Sequence, residues 1–445
     1  MFSASKSAAP SNNLNYSLRF RSAAYSGMYN SPLTDGNQTT YTLSCWVKRG
    51  KLGTVNIFVS ATDEIQYSYV GFNASNNLEI FSHLFNSDPL TVSYHLITTA
   101  TYQDPTVWNH VVLSVDTTQA DQSNRINLYV NGVQITSYST AVYPNLNDAG
   151  CFNSSLITTC VGFLAKSTGN QYFDGYVAEL NLNDGQQLLP TAYGQFNNNV
   201  WIPIAYTGTF GTNGFYLKFN HNDTLTTIGF DNSGNNNSFV AYNMSLSAGP
   251  NYDSMLDWPS SVNPISGNYC ILNPLIGNSQ NYFSITSGNL GYTLGSGTTY
   301  TLALGSSSFI TGKWYWEVTI ATVGTTAIGV SPNTIFNNSG PTGTCLAFAN
   351  NGTKYVNGSV SSYASAYTSN DVIGVAYDAS SGKITFYKNG TTLGLAATER
   401  PVVTGFFPCI WGVGASGYIN FGQQPFAYNA PVGFNRLNSY NLSKV

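Results

Sequence analysis

Over residues 312–426 the chain reads GKWYWEVTI (312–320), AIGVSP (327–332), DVIGVAYD (371–378), GKITFYKNG (382–390), FFPCIWG (406–412) and INFGQQPF (419–426). In WYWEVTI and KITFYKNG, aromatic and β-branched side chains recur at every second position, so each segment has one apolar face and one that can meet water. Lys388, Asn389 and Gly390 then supply a turn, since glycine adopts positive φ without steric cost. Short apolar runs punctuated by turn residues predict antiparallel strands throughout, and a β-sandwich over residues 281–430.

The order of these segments resembles the SPRY domain. The matching pieces are 312–317, 371–378, 382–390 and 420–426. The resemblance implies a β-sandwich that binds partners through its loops and carries no catalysis.

Composition points the same way. At 445 residues the chain is too long for one ordinary sandwich, and roughly two or three domains are expected. Gly 42, Tyr 31 and Phe 25 accompany abundant Asn, Ser and Thr, while charged residues make up only 8%. Helical surfaces are normally rich in Glu, Lys and Arg, so the predicted fold class is all-β with a surface of amides and hydroxyls. A net charge of −4, with 16 basic residues spread along the chain, leaves no basic stripe for nucleic acid. The N-terminus MFSASKSAAPSNN lacks a signal-peptide core, and no run approaches about 18 apolar residues, so neither export by a cleaved signal nor membrane insertion is expected. The six cysteines show no CxxC pairing and read as buried free thiols; Cys151 and Cys160 are the pair able to close a loop.

The N-terminal half makes an independent case. YTLSCWVKRG (41–50), WNHVVLSVD (108–116), INLYVNGVQI (126–135) and YFDGYVAELNL (172–182) read as a strand, a strand, a hairpin on Asn131-Gly132 and a strand pair. In this order they resemble the concanavalin A-like, laminin-G-type jelly roll, over residues 14–220 after an N-terminal arm, 1–13. SLRF (17–20) and YLKF (216–219) bracket it and are expected to lie side by side as first and last strands.

Periodicity is lost over 221–280, which contains FDNSGNNNSF and DWPSSVNP and reads as an ordered linker; 431–445 reads as a tail. These pieces, with SLRFRSAAYSGMYNSP and the closing INFGQQPFAYNAPVGFNRLNSYNL, resemble virion appendage proteins of tailed phages with the same two flanking domains. The resemblance implies a virion protein made in the host cytoplasm, a tail fibre, spike or other appendage.

An enzyme is not expected. Glycan hydrolases place two carboxylates about 5 to 10 Å apart across the scissile bond. Here Asp63 and Glu64 are adjacent and would point to opposite faces of a strand, while Glu79, Glu179 and Glu317 stand alone in strand contexts. His83, His95, His110 and His221 form no triad signature, and His110 reads as a structural contact. Asp148, Asn147, Asp174 and Asp184 offer hard oxygen donors without diagnostic spacing, and Asp174 and Asp184 sit in Asp-Gly pairs that read as turns, so no metal and no cofactor is expected.

Sugar binding needs an exposed ring flanked by amide or carboxylate groups. The loops supply Tyr102 with Gln103 and Asp104, Tyr143 with Asn145, and Tyr363 and Tyr367 in SYASAY as candidate carbohydrate-binding residues. The expected function is non-enzymatic recognition of host-surface polysaccharide by a subunit that also contacts other capsid or tail proteins. The alternative is a capsid or tail decoration subunit whose lectin-like domains make only protein–protein contacts. Low charge and edge strands favour a homo-oligomer, and many weak sites on one particle would raise avidity.

Overall fold

The computed structural model describes residues 15–444 except 62–65, 86–90, 164–170, 262, 276–282, 298–299, 333–335, 338–339, 342–344 and 401–404. The expected arm 1–13 and the Asp63/Glu64 pair lie outside the described residues. The fold is all-β, built from several antiparallel sheets.

The N-terminal sandwich has two eight-stranded sheets. The first runs Val133–Gln134, Ile126–Val130, Trp108–Asp116, Thr40–Arg49, Gly175–Asp184, Ser17–Phe20 and Ser254–Met255, with Phe215–Leu217 also on Gly175–Asp184. The second runs Tyr138–Val142, Val92–Thr101, Asn77–His83, Tyr67–Phe72, Val55–Ala61, Thr158–Val161, Gly27–Asn30 and Val240–Tyr242. Alternation puts Leu43, Cys45, Val47, Val111 and Leu113 of one sheet against Phe58, Val70, Leu78, Ile80 and Leu96 of the other, all buried in one core.

Asn131 and Gly132 take φ of 50° and 79°, as a type I′ hairpin requires. A Cβ on Gly132 would lie 2.6 Å from the buried Trp201 ring. Gly132→Ala therefore combines backbone strain with a clash, and a loss of about 2 kcal/mol is expected in urea unfolding. A loss below about 0.5 kcal/mol would mean that the hairpin relaxes around the added methyl.

Three segments differ from expectation. Residues 172–182 form no strand pair: a single strand begins at Gly175, and Asp174 before it is buried, accepting from Ser22 N (3.1 Å), Ser22 Oγ (3.1 Å) and Gly288 N (2.6 Å). It joins three chain segments, which an exposed turn aspartate would not do. SLRF and YLKF are not neighbours either. Ser17–Phe20 pairs with 175–177 and Phe215–Leu217 with 180–182, end to end along one edge of Gly175–Asp184. A bulge separates them, with Glu179 at φ 48° and the register on the opposite edge shifting between Ala178 and Asn181.

The third difference is the stretch 221–280, which contributes the outermost strand of each N-terminal sheet, Val240–Tyr242 and Ser254–Met255. It is held by buried charges. The Asp253 carboxylate takes Arg19 Nε (3.2 Å), Arg21 Nε (2.8 Å) and Arg21 Nη2 (2.9 Å). Lys48 Nζ, fully buried, donates to Asp257 Oδ2 (2.8 Å), Asn268 Oδ1 (2.7 Å) and Tyr269 O (3.0 Å), while Trp108 Nε1 donates to Asp257 Oδ1 (3.0 Å). Charges without water need this density of partners.

The C-terminal sandwich packs a seven-stranded sheet (Ser284–Thr286, Gly291–Thr293, Ser416–Asn420, Lys313–Thr322, Val372–Asp378, Lys383–Lys388, Thr391–Thr398) on a six-stranded one (Thr301–Leu304, Phe407–Val413, Thr325–Ser331, Leu346–Ala349, Thr353–Val356, Ser359–Ser362). Segments 371–378 and 382–390 each contain a strand, the other four overlap one, with 419–426 sharing only Ile419 and Asn420, and Asn389 and Gly390 turn at φ 50° and 78°. The closing residues fold back: Asn435 N donates to Lys313 O (2.8 Å) and Cys270 N to Leu437 O (3.0 Å). One apolar cluster runs from Trp46, Trp108 and Tyr176 through Trp258 and Ile271 to Trp314, Trp316 and Ile373, so the outer face of the first N-terminal sheet is covered by the connecting stretch and the second sandwich. The outer face of the other N-terminal sheet carries a cluster of its own, Val59, Ala61, Cys160 and Phe163, with Tyr67, Tyr69 and Tyr172 packed against it.

Candidate functional site

On that second sheet, the core-facing residues Ile80, Val70, Val161 and Met28 alternate with neighbours that must point outward. The outward residues align: His95 opposes Phe81, Phe81 opposes Tyr69, Tyr69 opposes Val59, Val59 opposes Cys160, Cys160 opposes Tyr29, and Tyr29 opposes Val240. Aromatic contacts accompany the row. Tyr69 and Phe81 stack at 5.6 Å, Tyr67 lies 5.3 Å from Phe81, and Phe81 meets His95 edge-on at 5.3 Å. Directly opposed rings on one sheet face stabilise the pairing as well as shaping the surface.

At the Tyr29 end the row opens into a groove of about 390 Å³ lined by Tyr29, Ser31, Thr158, Cys160, Phe163, Tyr172 and Tyr242. Phe163 is the hub, its ring 6.0 Å from Tyr172 at an interplanar angle of 9° and 6.0 Å from Tyr242 at 29°. Tyr25 meets Tyr172 edge-on at 5.0 Å. Tyr25, Tyr29 and Tyr242 remain 51%, 38% and 47% exposed, enough for their faces to receive a ligand. Ser31 and Thr158 share a hydroxyl hydrogen bond of 3.1 Å at the rim. Among the described residues no charged side chain lines the groove; at the far end of the sheet His95 Nε2 lies 2.8 Å from Glu79 Oε1. Flat apolar rings with phenol and hydroxyl groups at their edges suit a ligand that is apolar on its faces and hydroxylated around its rim.

The residues expected from the loops are dispersed. Tyr102 and Tyr143 are half-buried at one edge of the N-terminal core, where both neighbour Tyr138, whose phenol is pushed well above its ordinary range first by burial and then by these rings. Tyr102 packs 5.9 Å from Phe72 and its carbonyl accepts from Arg49 Nη1 (2.5 Å). Gln103 is exposed beside it; Asp104 folds back on its own turn, accepting from Thr106 N (2.8 Å) and Thr106 Oγ1 (2.7 Å). Asn145 is exposed, its N–H donating to Asp148 Oδ2 (2.8 Å). Tyr363 lies in the other sandwich, half-buried 5.4 Å from Phe348, with its hydroxyl donating to Gly394 O. Tyr367 is a correction: only 1% of it is exposed, and its hydroxyl donates to Thr326 O (2.8 Å) while its ring packs 5.1 Å from Phe348, so no ligand can stack on it.

The groove tyrosines escaped the sequence reading for a physical reason. Gly27–Asn30 and Val240–Tyr242 are too short to show a period, and the latter lies in the aperiodic stretch. The signal available was Met28 beside Tyr29, an inward residue next to an outward ring.

His110, Glu317 and Asp184 are held by internal hydrogen bonds. His110 is buried between Trp46 (4.8 Å) and Trp201 (6.0 Å). Trp201 Nε1 donates to His110 Nδ1 (2.9 Å), and since indole only donates, Nδ1 is unprotonated and Nε2–H is left to donate to Ser44 Oγ (2.8 Å). Burial holds this imidazole down to a pKa of about 3. Glu317 is engaged by Ala427 N (2.7 Å), Tyr428 N (2.9 Å) and Tyr315 Oη (3.0 Å). Asp184 accepts from Asn37 N (2.6 Å) and Asn213 N (3.0 Å). All six cysteines are buried free thiols. Among the described residues no three His, Cys, Asp or Glu side chains cluster as they would around a metal ion, and no helix is long and apolar enough to cross a membrane.

Comparison with known proteins divides the chain as the fold does. Residues 23–186 match the concanavalin A-like lectin/glucanases superfamily, and residues 313–424 match the SPRY domain. The ATP-dependent RNA helicase Ddx1 of Drosophila melanogaster is 30% identical over 125 residues, 28% of this chain and 17% of that protein. The E3 ubiquitin-protein ligase RKP of Arabidopsis thaliana is 34% identical over 135 residues, 28% of this chain and 10% of that protein. The chain thus spans less than a fifth of the length of these curated relatives. The crystal structure of the SPRY domain of human HERC1 is 22% identical, covers 33% of this chain and 94% of its own, and superposes with a TM-score of 0.29. The chain carries an N-terminal concanavalin A-like domain of the laminin-G type and a C-terminal SPRY domain.

Proposed function

We propose that the protein is a non-enzymatic recognition subunit that binds glycan through the tyrosine groove of its N-terminal sandwich. The observation that carries this reading is the set of exposed rings, Tyr25, Tyr29 and Tyr242, with Ser31 and Thr158 hydroxyls beside them. A pyranose ring has apolar C–H faces and a hydroxylated edge, and this surface offers both complements. Both matched domain types serve chiefly as binding modules, which favours recognition over catalysis. The sequence resemblance to tailed-phage appendage proteins supports the finer reading: a virion fibre, spike or decoration subunit whose glycan lies on the host surface and whose other partners are capsid or tail proteins.

The test is binding of the purified chain to a panel of immobilised bacterial surface polysaccharides, with periodate-oxidised samples alongside. Saturable, periodate-sensitive binding is expected, weakened about tenfold by Tyr242→Ala, which corresponds to losing one ring contact worth roughly 1.4 kcal/mol. Binding that Tyr29→Ala and Tyr242→Ala leave unchanged would remove the groove from the reading. No binding by the folded protein would favour a decoration subunit making protein–protein contacts alone.

A further inference from the structure

The bulge in Gly175–Asp184 leaves a gap between the ends of Ser17–Phe20 and Phe215–Leu217, and a polar cavity of about 440 Å³ opens there. Tyr16, just before the first strand, and Lys218, just after the second, flank it with Glu179 and Tyr216; Asn220, Trp258 and residues 203–205 also line it. Several features of this cavity are costly for the fold. Glu179 holds a left-handed backbone at φ 48°, a conformation that a glutamate adopts only under constraint. Asn181 Nδ2 locks the bulge by donating to Glu179 O (2.9 Å). The Glu179 side chain is buried, with the Tyr216 hydroxyl donating to Oε2. Lys218 lies with Nζ 4.7 Å from the Tyr216 ring centre, and among the described residues no carboxylate pairs with it. Strain, a buried acid and an unpaired cation around one cavity mark a site built for a ligand.

We infer that this cavity binds a carboxylate-bearing sugar, whose carboxylate pairs with Lys218 beside the Glu179 carboxyl, and whose ring lies among Trp258, Tyr16 and Asn220. Among the described residues, the titratable or charged groups lining the cavity are Tyr16, Glu179, Tyr216 and Lys218. Burial pushes the Glu179 carboxyl up to about 7, against the lowering effects of Tyr216 and Lys218. The acid therefore keeps its proton under mildly acidic conditions, and an incoming carboxylate meets one positive charge and a hydrogen-bond donor. Above that range Glu179 is ionised, and it would repel the ligand and compete for Lys218. The site is separate from the tyrosine groove, so this inference stands whether or not the groove binds glycan.

Titration calorimetry of the full chain with glucuronate, glucose and acetate at pH 6 and pH 8.5 tests it. Glucuronate is expected to bind in preference to both controls, about thirtyfold more weakly at pH 8.5 than at pH 6, since the protonated fraction of Glu179 falls by about that factor. Lys218→Met should weaken glucuronate at least tenfold. Glu179→Gln, which keeps the shape and loses the titration, should bind with little pH dependence. Equal affinity for glucose or acetate, indifference to Lys218→Met, an unchanged pH dependence in Glu179→Gln, or no glucuronate binding by the folded protein would each overturn the inference.

Discussion

Replacing Asp253 with alanine is expected to destabilise the folded protein by about 3–5 kcal/mol, the cost of leaving buried charge without its partner. The carboxylate faces two guanidinium groups, and Arg19 is fully buried. Its loss leaves Arg19 with only neutral acceptors, Pro250 O (2.8 Å), Tyr252 O (2.9 Å) and Ser287 O (3.4 Å). Burial already depresses the Arg19 pKa, and Asp253 is the main force opposing that. Asp253→Asn retains an acceptor oxygen and removes the charge, so about half the loss is expected. Urea unfolding with m held constant measures both. A loss under about 1 kcal/mol in the alanine variant would show that water reaches the arginines.

The second large effect is acid sensitivity from His110. In the unfolded chain an imidazole takes up its proton near pH 6.5; in the fold it does so near 3. Between those values the unfolded state binds the proton and the folded state does not. Stability present above pH 6.5 is therefore lost as the pH falls towards 3, by about 4–5 kcal/mol in total. Glu179 works in the opposite sense. Its carboxyl is raised from 4.5 to about 7 in the fold, so its contribution is present below pH 4.5 and lost as the pH rises to 7, by about 3 kcal/mol. From pH 4.5 to 6.5 the two nearly cancel. The unfolding free energy of His110→Gln, minus that of the parent, should rise as the pH falls below 6.5, whereas the corresponding difference for Glu179→Gln should rise with pH above 4.5. Parallel profiles for parent and His110→Gln would mean that His110 takes up its proton at the same pH in the fold as in the unfolded chain. Fixed packing costs drop out of these slopes.

The legible parts of this fold were those written in local pattern. The alternation in KITFYK, the turn at Asn389-Gly390 and the hairpin at Asn131-Gly132 each depend on residues within a few positions of one another, and each appears as read, whereas in WYWEV both faces of the strand are buried, Tyr315 and Glu317 included. What eluded the sequence depends on distant residues. Arg19 meets Asp253 across 234 positions, and nothing near either residue announces it. The Glu179 bulge exists because two separate strands end against one edge, so residue 179 reads as an ordinary strand position. Tyr367 sits in a small-residue loop, yet its hydroxyl finds Thr326 O across 41 positions and draws the ring inward. Val240–Tyr242 becomes a strand only because Gly27–Asn30 offers an edge.

The stretch 221–280 has a mechanical consequence. Because it edges both N-terminal sheets and carries the buried partners of Arg19 and Lys48, pulling the sandwiches apart means breaking a sheet edge and separating charges in a dry interior. A force applied at one domain passes to the other through that seam instead of being absorbed by a slack tether. A single protease cut there should leave the two halves associated under native conditions, as a nicked whole. A ligand captured by one sandwich would therefore hold the other at a set angle, and in an array of copies each new attachment would spend little entropy on aligning the next.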